Sequence, residues 1–179
     1  ADGSSGAFTV EVSNSSALSD GSYDLTVTAT DAAGNISTAS DPVAFTIDTT
    51  NPAQPTISTS STTTNVTTPT ISGTAEISST INLISNGSSI GTATTDGSGN
   101  FSVTPSSELA EGSYSLTVTA TDAANNVSDS SNAVAFTIDT TAPGKPTIST
   151  SSTTTSDTTP TISGTAEAGS IVKLFSGST

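Results

Sequence analysis

Residues 114–121 read Tyr-Ser-Leu-Thr-Val-Thr-Ala-Thr. Tyr114, Leu116, Val118 and Ala120 alternate with Ser115, Thr117, Thr119 and Thr121. A period of two puts the apolar side chains on one face of a strand and the hydroxyls on the other. Thr is β-branched and also favours the pleated backbone. Working outward, the pattern recurs. Val134, Phe136 and Ile138 alternate with Ala135 and Thr137, and Ile71, Gly73 and Ala75 alternate with Ser72 and Thr74. Ile81 and Leu83 flank Asn82, and Phe101 and Val103 flank Ser102. Turn signals separate the runs: Asn86-Gly87, Asp96-Gly97, Glu111-Gly112 and the polar stretch from Asp122 to Asn132. No stretch carries a helical period. Strands are expected at about 55–59, 68–75, 79–85, 89–95, 100–105, 113–121 and 133–138. Seven short strands with this turn spacing predict an all-β antiparallel β-sandwich. Its expected core is Ile71, Leu83, Phe101, Leu116, Val118, Phe136 and Ile138.

The chain repeats itself. Tyr23 to Glu76 reads YDLTVTATDAAGNISTASDPVAFTIDTTNPAQPTISTSSTTTNVTTPTISGTAE, and Tyr114 to Glu167 reads YSLTVTATDAANNVSDSSNAVAFTIDTTAPGKPTISTSSTTTSDTTPTISGTAE. The offset is 91 residues, and 42 of 54 aligned positions are identical. Upstream, DGSSGAF from Asp2 matches DGSGNF from Asp96. Solenoid units have periods of roughly 20–50 residues, so this offset suits a whole small domain in tandem. The joins fall at Asp48-Thr49-Thr50-Asn51-Pro52 and Asp139-Thr140-Thr141-Ala142-Pro143. Pro52, Pro55, Pro143 and Pro146 restrict the backbone there. Residues 1–48 are thus expected to be the C-terminal part of one domain. Residues 49–141 are a complete domain with its linkers, and 142–179 the N-terminal part of the next, in an extended array.

Composition excludes several functions. Among 179 residues there is no His, Cys, Met or Trp. That removes a Ser-His-Asp or Cys-His nucleophile, a zinc site, a disulfide framework and haem ligation by His, Cys or Met. Two basic residues, Lys145 and Lys173, face sixteen acids, for a net charge of -14. Such a surface repels nucleic acid and anionic membranes. Insertion into a membrane is not expected either, since no apolar run approaches the roughly 18 residues of a span. The 38 Thr and 35 Ser, with few aromatics, would warn of disorder were they not interleaved with Val, Ile, Leu and Phe.

The pieces GSYSLTVTATDAANN, AFTIDTTAPGKPTI and TTPTISGTAEAGSIVKLF resemble the bacterial Ig-like tandem repeats of very large surface adhesins secreted by the type I route. The likeness covers nearly the whole chain. Its most specific parts are D-x-T-x-P at each join and T-P-x-I-x-G-T-A-E after it. The resemblance implies an extracellular, calcium-rigidified stalk.

In a seven-strand Greek-key domain the B–C, D–E and F–G loops share one end, where the preceding linker arrives. That would gather Asp48 from the linker, Glu76 from the B–C loop, Asp122 from the F–G loop and Asp96 from the D–E loop. Asn125 and Asn126 would add side-chain carbonyls, and Thr50 a backbone one. Converging hard oxygens suit Ca²⁺, which takes six to eight of them at roughly 2.3–2.6 Å; Mg²⁺ demands tighter octahedral geometry. Carboxylates drawn together without a cation would repel. The alternative is ordinary solvated surface charge. By analogy Asp139 pairs with Glu167 at the next join, and Asp31 with Asn35 forms half of a site upstream.

Other candidates carry less. Glu108 and Glu111 are a carboxylate pair of the kind glycosidases use, but no aromatic platform lies near them, and no enzyme activity is expected. The tracts Ser58–Thr64 and Ser149–Thr155 could form flat ligand faces or carry O-linked sugar; they read more simply as the end of strand A and the A–B turn. Tyr23 and Tyr114 suit a tyrosine corner. The expected function is a structural spacer, extracellular or on the bacterial surface, whose partners are adjacent repeats and whose parent presents a distal ligand-binding tip in attachment or biofilm formation. The rival is a multivalent module binding glycan, ice or host protein. A third reading joins residues 142–179 of one molecule to residues 1–48 of another by strand sharing, giving head-to-tail polymers.

Overall fold

A computed structural model of the chain describes residues 6–12 and 17–177. The Asp2–Ser5 part of the upstream sequence match therefore lies outside the described residues. The chain divides into two compact units, Ala1–Ile138 and Asp139–Thr179. In the first, β1 (Gly21–Leu25) and β2 (Val43–Ile47) pair antiparallel with Tyr23 opposite Phe45. Residues 51–138 follow with β3 (Thr56–Ile57), β4 (Thr62–Thr64), β5 (Ile71–Thr74), β6 (Thr80–Ser85), β7 (Ser88–Thr94), β8 (Asn100–Val103), β9 (Gly112–Thr121) and β10 (Val134–Ile138). In the second unit, β11 (Thr147–Ile148) pairs antiparallel with β12 (Gly164–Thr165).

Two sheets make the sandwich in residues 51–138. One runs β3-β5-β8 and the other β4-β10-β9-β6-β7. Their apolar faces meet in one cluster: Ile71, Phe101 and Val103 from the small sheet, and Ile81, Leu83, Leu116, Val118, Ala120, Val134 and Phe136 from the large one. All seven core residues expected from alternation, Ile138 included, are buried. Burying a side chain of this size contributes about 1.5–3 kcal/mol, so the period-two pattern sets which face turns inward. Gly73 lies opposite Phe101 in the β5–β8 register. A Cβ there would collide with the Thr56 carbonyl and come within 2.6 Å of the Phe101 ring, so glycine is what lets the ring lie flat on β5.

Strand A is not the single run expected at 55–59, and Ser58–Thr64 is not only its end and a turn. The chain leaves the small sheet after Ile57, crosses, and re-enters the large sheet as β4. There Thr62 and Thr64 pair in parallel with Phe136 and Ile138. Ser61 Oγ accepts the Ala135 N–H at 3.1 Å just before that pairing begins. Splitting the strand closes an edge of both sheets, which strand edges favour because their N–H and C=O groups otherwise lie unpaired.

Three details fix the ends of the strands. Asn86 and Gly87 adopt φ of 49° and 76°, the left-handed pair that a two-residue hairpin between β6 and β7 requires. Tyr114 Oη donates to the Ala110 carbonyl at 2.9 Å, and Tyr23 Oη to the Ser19 carbonyl at 2.9 Å, so each tyrosine makes the expected corner. The loop after β9 folds back along that strand's free edge. Ser128 Oγ accepts the Ala120 N–H at 2.9 Å and Ser131 Oγ the Val118 N–H at 3.0 Å. The two hydroxyls replace the strand that would otherwise pair there.

Candidate functional site

The sequence D-x-x-[GN]-N occurs three times among the described residues, at Asp31–Asn35, Asp96–Asn100 and Asp122–Asn126. In each, one Asp oxygen accepts the backbone N–H groups two and four residues on. For Asp122 these are Ala124 and Asn126, both at 2.8 Å. The Asn side chain closes the loop: Nδ2 of Asn126 donates to Asp122 Oδ2 at 2.8 Å, and Nδ2 of Asn35 to Asp31 Oδ2 at 2.8 Å. In the Asp96 turn the same bond to Asn100 is longer, at 3.3 Å. The fourth position is left-handed, with φ of 89° at Gly34, 78° at Gly99 and 71° at Asn125. Gly takes that conformation freely and Asn is among the few other residues that tolerate it, which explains G/N there.

These bonds favour the ionised carboxylate. The Asn35 side chain holds the Asp31 carboxyl below its ordinary value, and the Asn126 side chain does the same for Asp122. For Asp96 the Asn100 backbone N–H is the main cause of a similar lowering.

The turn at Asp122–Asn126 sits where the linker enters. The second amide hydrogen of Asn126 Nδ2 reaches the Asp48 carbonyl at 3.0 Å. Gln54 Nε2 donates to the Ser130 carbonyl in the same loop. From the preceding segment, Asp20 grips the linker: Oδ1 accepts the Thr49 hydroxyl at 2.7 Å and its N–H at 3.1 Å, and Oδ2 accepts the Thr50 hydroxyl at 2.9 Å. The Thr49 hydroxyl is the main reason the Asp20 carboxyl is lowered. Thr50 N–H caps Asp48 Oδ1 at 3.0 Å, as Thr141 N–H caps Asp139 Oδ1 at 3.1 Å in the second unit.

The remaining acids flank this end. Thr95 Oγ1 donates to the Glu76 carbonyl at 2.6 Å, which ties the β5–β6 loop to the loop that carries Asp96. In the second unit, Gly144 N–H approaches Glu167 Oε2 at 3.4 Å. Asp48, Glu76, Asp96 and Asp122 thus come from the elements expected to share an end. Among the described residues, however, no three acidic side chains are grouped closely enough to share one ion. The donor chemistry is all oxygen and suits calcium, but Asp122 already spends both carboxylate oxygens on its own turn. Sequence reasoning missed Asp20. The signal was there: acid-Gly-Ser-Tyr recurs as Asp20-Gly21-Ser22-Tyr23 and Glu111-Gly112-Ser113-Tyr114.

A family model described as bacterial Ig-like domain matches residues 1–49 and 51–140. The chain is similar to the fibronectin(III)-like modules of Clostridium thermocellum CbhA, with 17% identity and a TM-score of 0.47 over 68% of this chain and 64% of that one. It is similar to the BSP domain structure of a biofilm associated protein, with 22% identity and a TM-score of 0.40 over 70% of this chain and 20% of that one. It is also similar to a tetra-tandem repeat in the extending region of a large adhesion protein, with 26% identity and a TM-score of 0.42 over 74% of this chain and 36% of that one. The chain spans less than two thirds of each of these structures. No curated protein sequence matches it.

Proposed function

The chain belongs to the bacterial Ig-like domain family, and from that premise we propose that it forms spacer repeats of an extracellular adhesin, holding a distal ligand-binding tip away from a bacterial surface. The observation that carries this reading is the held linker. Asp20 on one side and Asn126 on the other bond the same four-residue stretch, Asp48–Asn51. A tether that only connects two domains has no need of such bonds; a strut that must transmit direction does. Near-identical repeats fit a spacer as well, because length grows by duplication. No catalytic step belongs to this reading.

Calcium at the join is part of the proposal. Asp48, Glu76 and Asp122 would hold it, with Asp96 or Asn126 as further oxygen donors; Asp139 and Glu167, and Asp31 with Asn35, are the corresponding sets at the neighbouring joins. Asp48 and Glu76 are exposed, so their side chains are free to turn toward an ion. The ion would supply charge neutralisation among these acids and a further bridge from linker to loops. An ion that binds the held linker better than the loose one shifts the population toward it.

The test uses spin labels on cysteines introduced at Ser22 and Ser102, which is clean in a chain with no native cysteine. Labelled chains are diluted with unlabelled ones, and the distance distribution is read by double electron–electron resonance. A single narrow distribution with millimolar calcium supports the spacer. Broadening on chelation, reproduced by Asp48→Ala, supports the calcium part. A broad distribution in calcium overturns the spacer reading, and a narrow one that chelation leaves unchanged removes calcium from it.

A further inference from the structure

Beyond the spacer role, the structure points to an interaction surface whose partner is a second copy of this chain. Two apolar faces lie uncovered, one in each compact unit. In the first, β1, β2 and the residues after β1 present Val27, Val43 and Phe45, and the stretch before them presents Phe8 and Val10. Phe45 is 51% exposed and Phe8 71%. In the second unit, β11, β12 and the stretch after them present Ile148, Ile162, Val172 and Leu174, with Leu174 71% exposed.

Residues 51–138 show what covers faces of this composition. With the offset of 91 residues, Phe45 corresponds to Phe136, Val27 to Val118, Leu174 to Leu83, Val172 to Ile81 and Ile162 to Ile71. All five counterparts are buried, Phe136 at 3% exposure and the others at 0%. Phe8-Thr9-Val10 corresponds in the same way to Phe101-Ser102-Val103. The two uncovered faces are therefore the two halves of the core that residues 51–138 close on themselves. The first unit offers the counterparts of β8, β9 and β10, and the second those of β3, β4, β5 and β6. Only β7 has no counterpart, and it is the edge strand of its sheet, paired to β6 alone.

The match extends to register. Leu83 pairs with Val118 and Ile81 with Ala120 in the β6–β9 ladder. The intermolecular ladder would set Leu174 of one copy against Val27 of the next, and Val172 against Ala29. Ile71 pairs with Val103 and Gly73 with Phe101, so Ile162 would face Val10, and Gly164 would face Phe8. Gly164 is suited to this. The Phe101 ring packs where a Cβ on Gly73 would stand, whereas around Gly164 only the Thr147–Ile148 backbone approaches. A groove of about 480 Å³ opens beside it, lined by Ile148, Ile162, Gly164, Val172 and Leu174 among others. An aromatic ring and two or three aliphatic side chains fill the equivalent space in residues 51–138. Phe8, Val27 and Phe45 of a second copy supply those groups.

Such a contact is heterologous. Each copy offers one half and accepts the other, so association proceeds head to tail into linear chains. Strand addition supplies backbone hydrogen bonds, and the alternate side chains supply specificity.

The test is the mass of the full 179-residue chain by analytical ultracentrifugation over a concentration series. Wild type is expected to form a ladder of multiples of the monomer mass that shortens on dilution. Phe45→Asp and Leu174→Asp, each alone, should remain monomeric, because either change removes one of the two halves every contact needs. Mixed one to one, they should form heterodimers and nothing larger, since only one good pair of faces remains. As a register check, Val27→Cys/Leu174→Cys should form intermolecular disulfides on mild oxidation, and Val27→Cys/Ile148→Cys should not. A wild type that stays monomeric at every concentration overturns the proposal. So do variants that still associate, which would mark unspecific apolar aggregation, and a mixture that gives no heterodimer.

Discussion

The side-chain amide of Asn126 donates to the main-chain carbonyl of Asp48, at 3.0 Å and across 78 residues of sequence. The same amide closes its own turn on Asp122, at 2.8 Å. One side chain thus both builds the loop after β9 and holds the incoming linker. Asn126→Ala is expected to lose the linker bond, worth about 1 kcal/mol as a neutral hydrogen bond, and to loosen the turn. The check is hydrogen exchange at Thr49, Thr50 and Asn51, which should speed up while exchange at Leu83 and Leu116 stays slow. Unchanged linker exchange would show that Asp20 alone suffices.

Phe136→Ala empties the centre of the cluster between the two sheets. The expected loss is about 3–5 kcal/mol by urea denaturation, the usual range for a buried Phe. A loss below about 1 kcal/mol would contradict the burial of β10.

Ser131→Ala removes the hydroxyl that accepts the Val118 N–H. That amide lies on a buried part of β9, so the cost is that of an unmet donor, about 1–3 kcal/mol. Ser131→Thr keeps the hydroxyl and should lose clearly less. Equal losses would mean that packing rather than the hydrogen bond decides the position.

Acid should unfold the protein through its turns. Asp20, Asp31, Asp96 and Asp122 are all held below their ordinary value in the folded chain. A depressed folded pKa means that the unfolded chain binds protons first as pH falls. The stabilisation is therefore complete above the unfolded value of about 3.9 and is lost as pH drops through the lower folded values. With no His or Cys to titrate, urea midpoints should be flat between about pH 6 and pH 8 and fall steeply below about pH 4. Asp122→Asn should flatten part of that fall. A midpoint that changes as much between pH 8 and pH 6 as between pH 4 and pH 2 would contradict this.

Alternation along single strands exposed the sandwich core, because the inward face of a strand is a local property with a period of two. Tyr114 and the Asn86-Gly87 hairpin were legible for the same reason: their partners lie within a few residues. The 91-residue offset is likewise a property of the string of letters. The sequence therefore determined the class of fold, the inward residues, the tandem arrangement and the acids of the joins.

Tertiary structure decided where those acids spend their oxygens. Nothing local distinguishes Asp122, whose carboxylate its own turn saturates, from Asp20, whose oxygens reach Thr49 and Thr50 some 29 and 30 residues away. The split of strand A was hidden too, because β4 is held by parallel pairing to β10, more than 70 residues on. Ser128 and Ser131 read as loop polar residues until the loop folded back onto β9. In each case the partner is chosen by which surfaces packing brings together, and the burial of apolar faces that drives packing does not specify which hydroxyl or carboxylate will meet which amide.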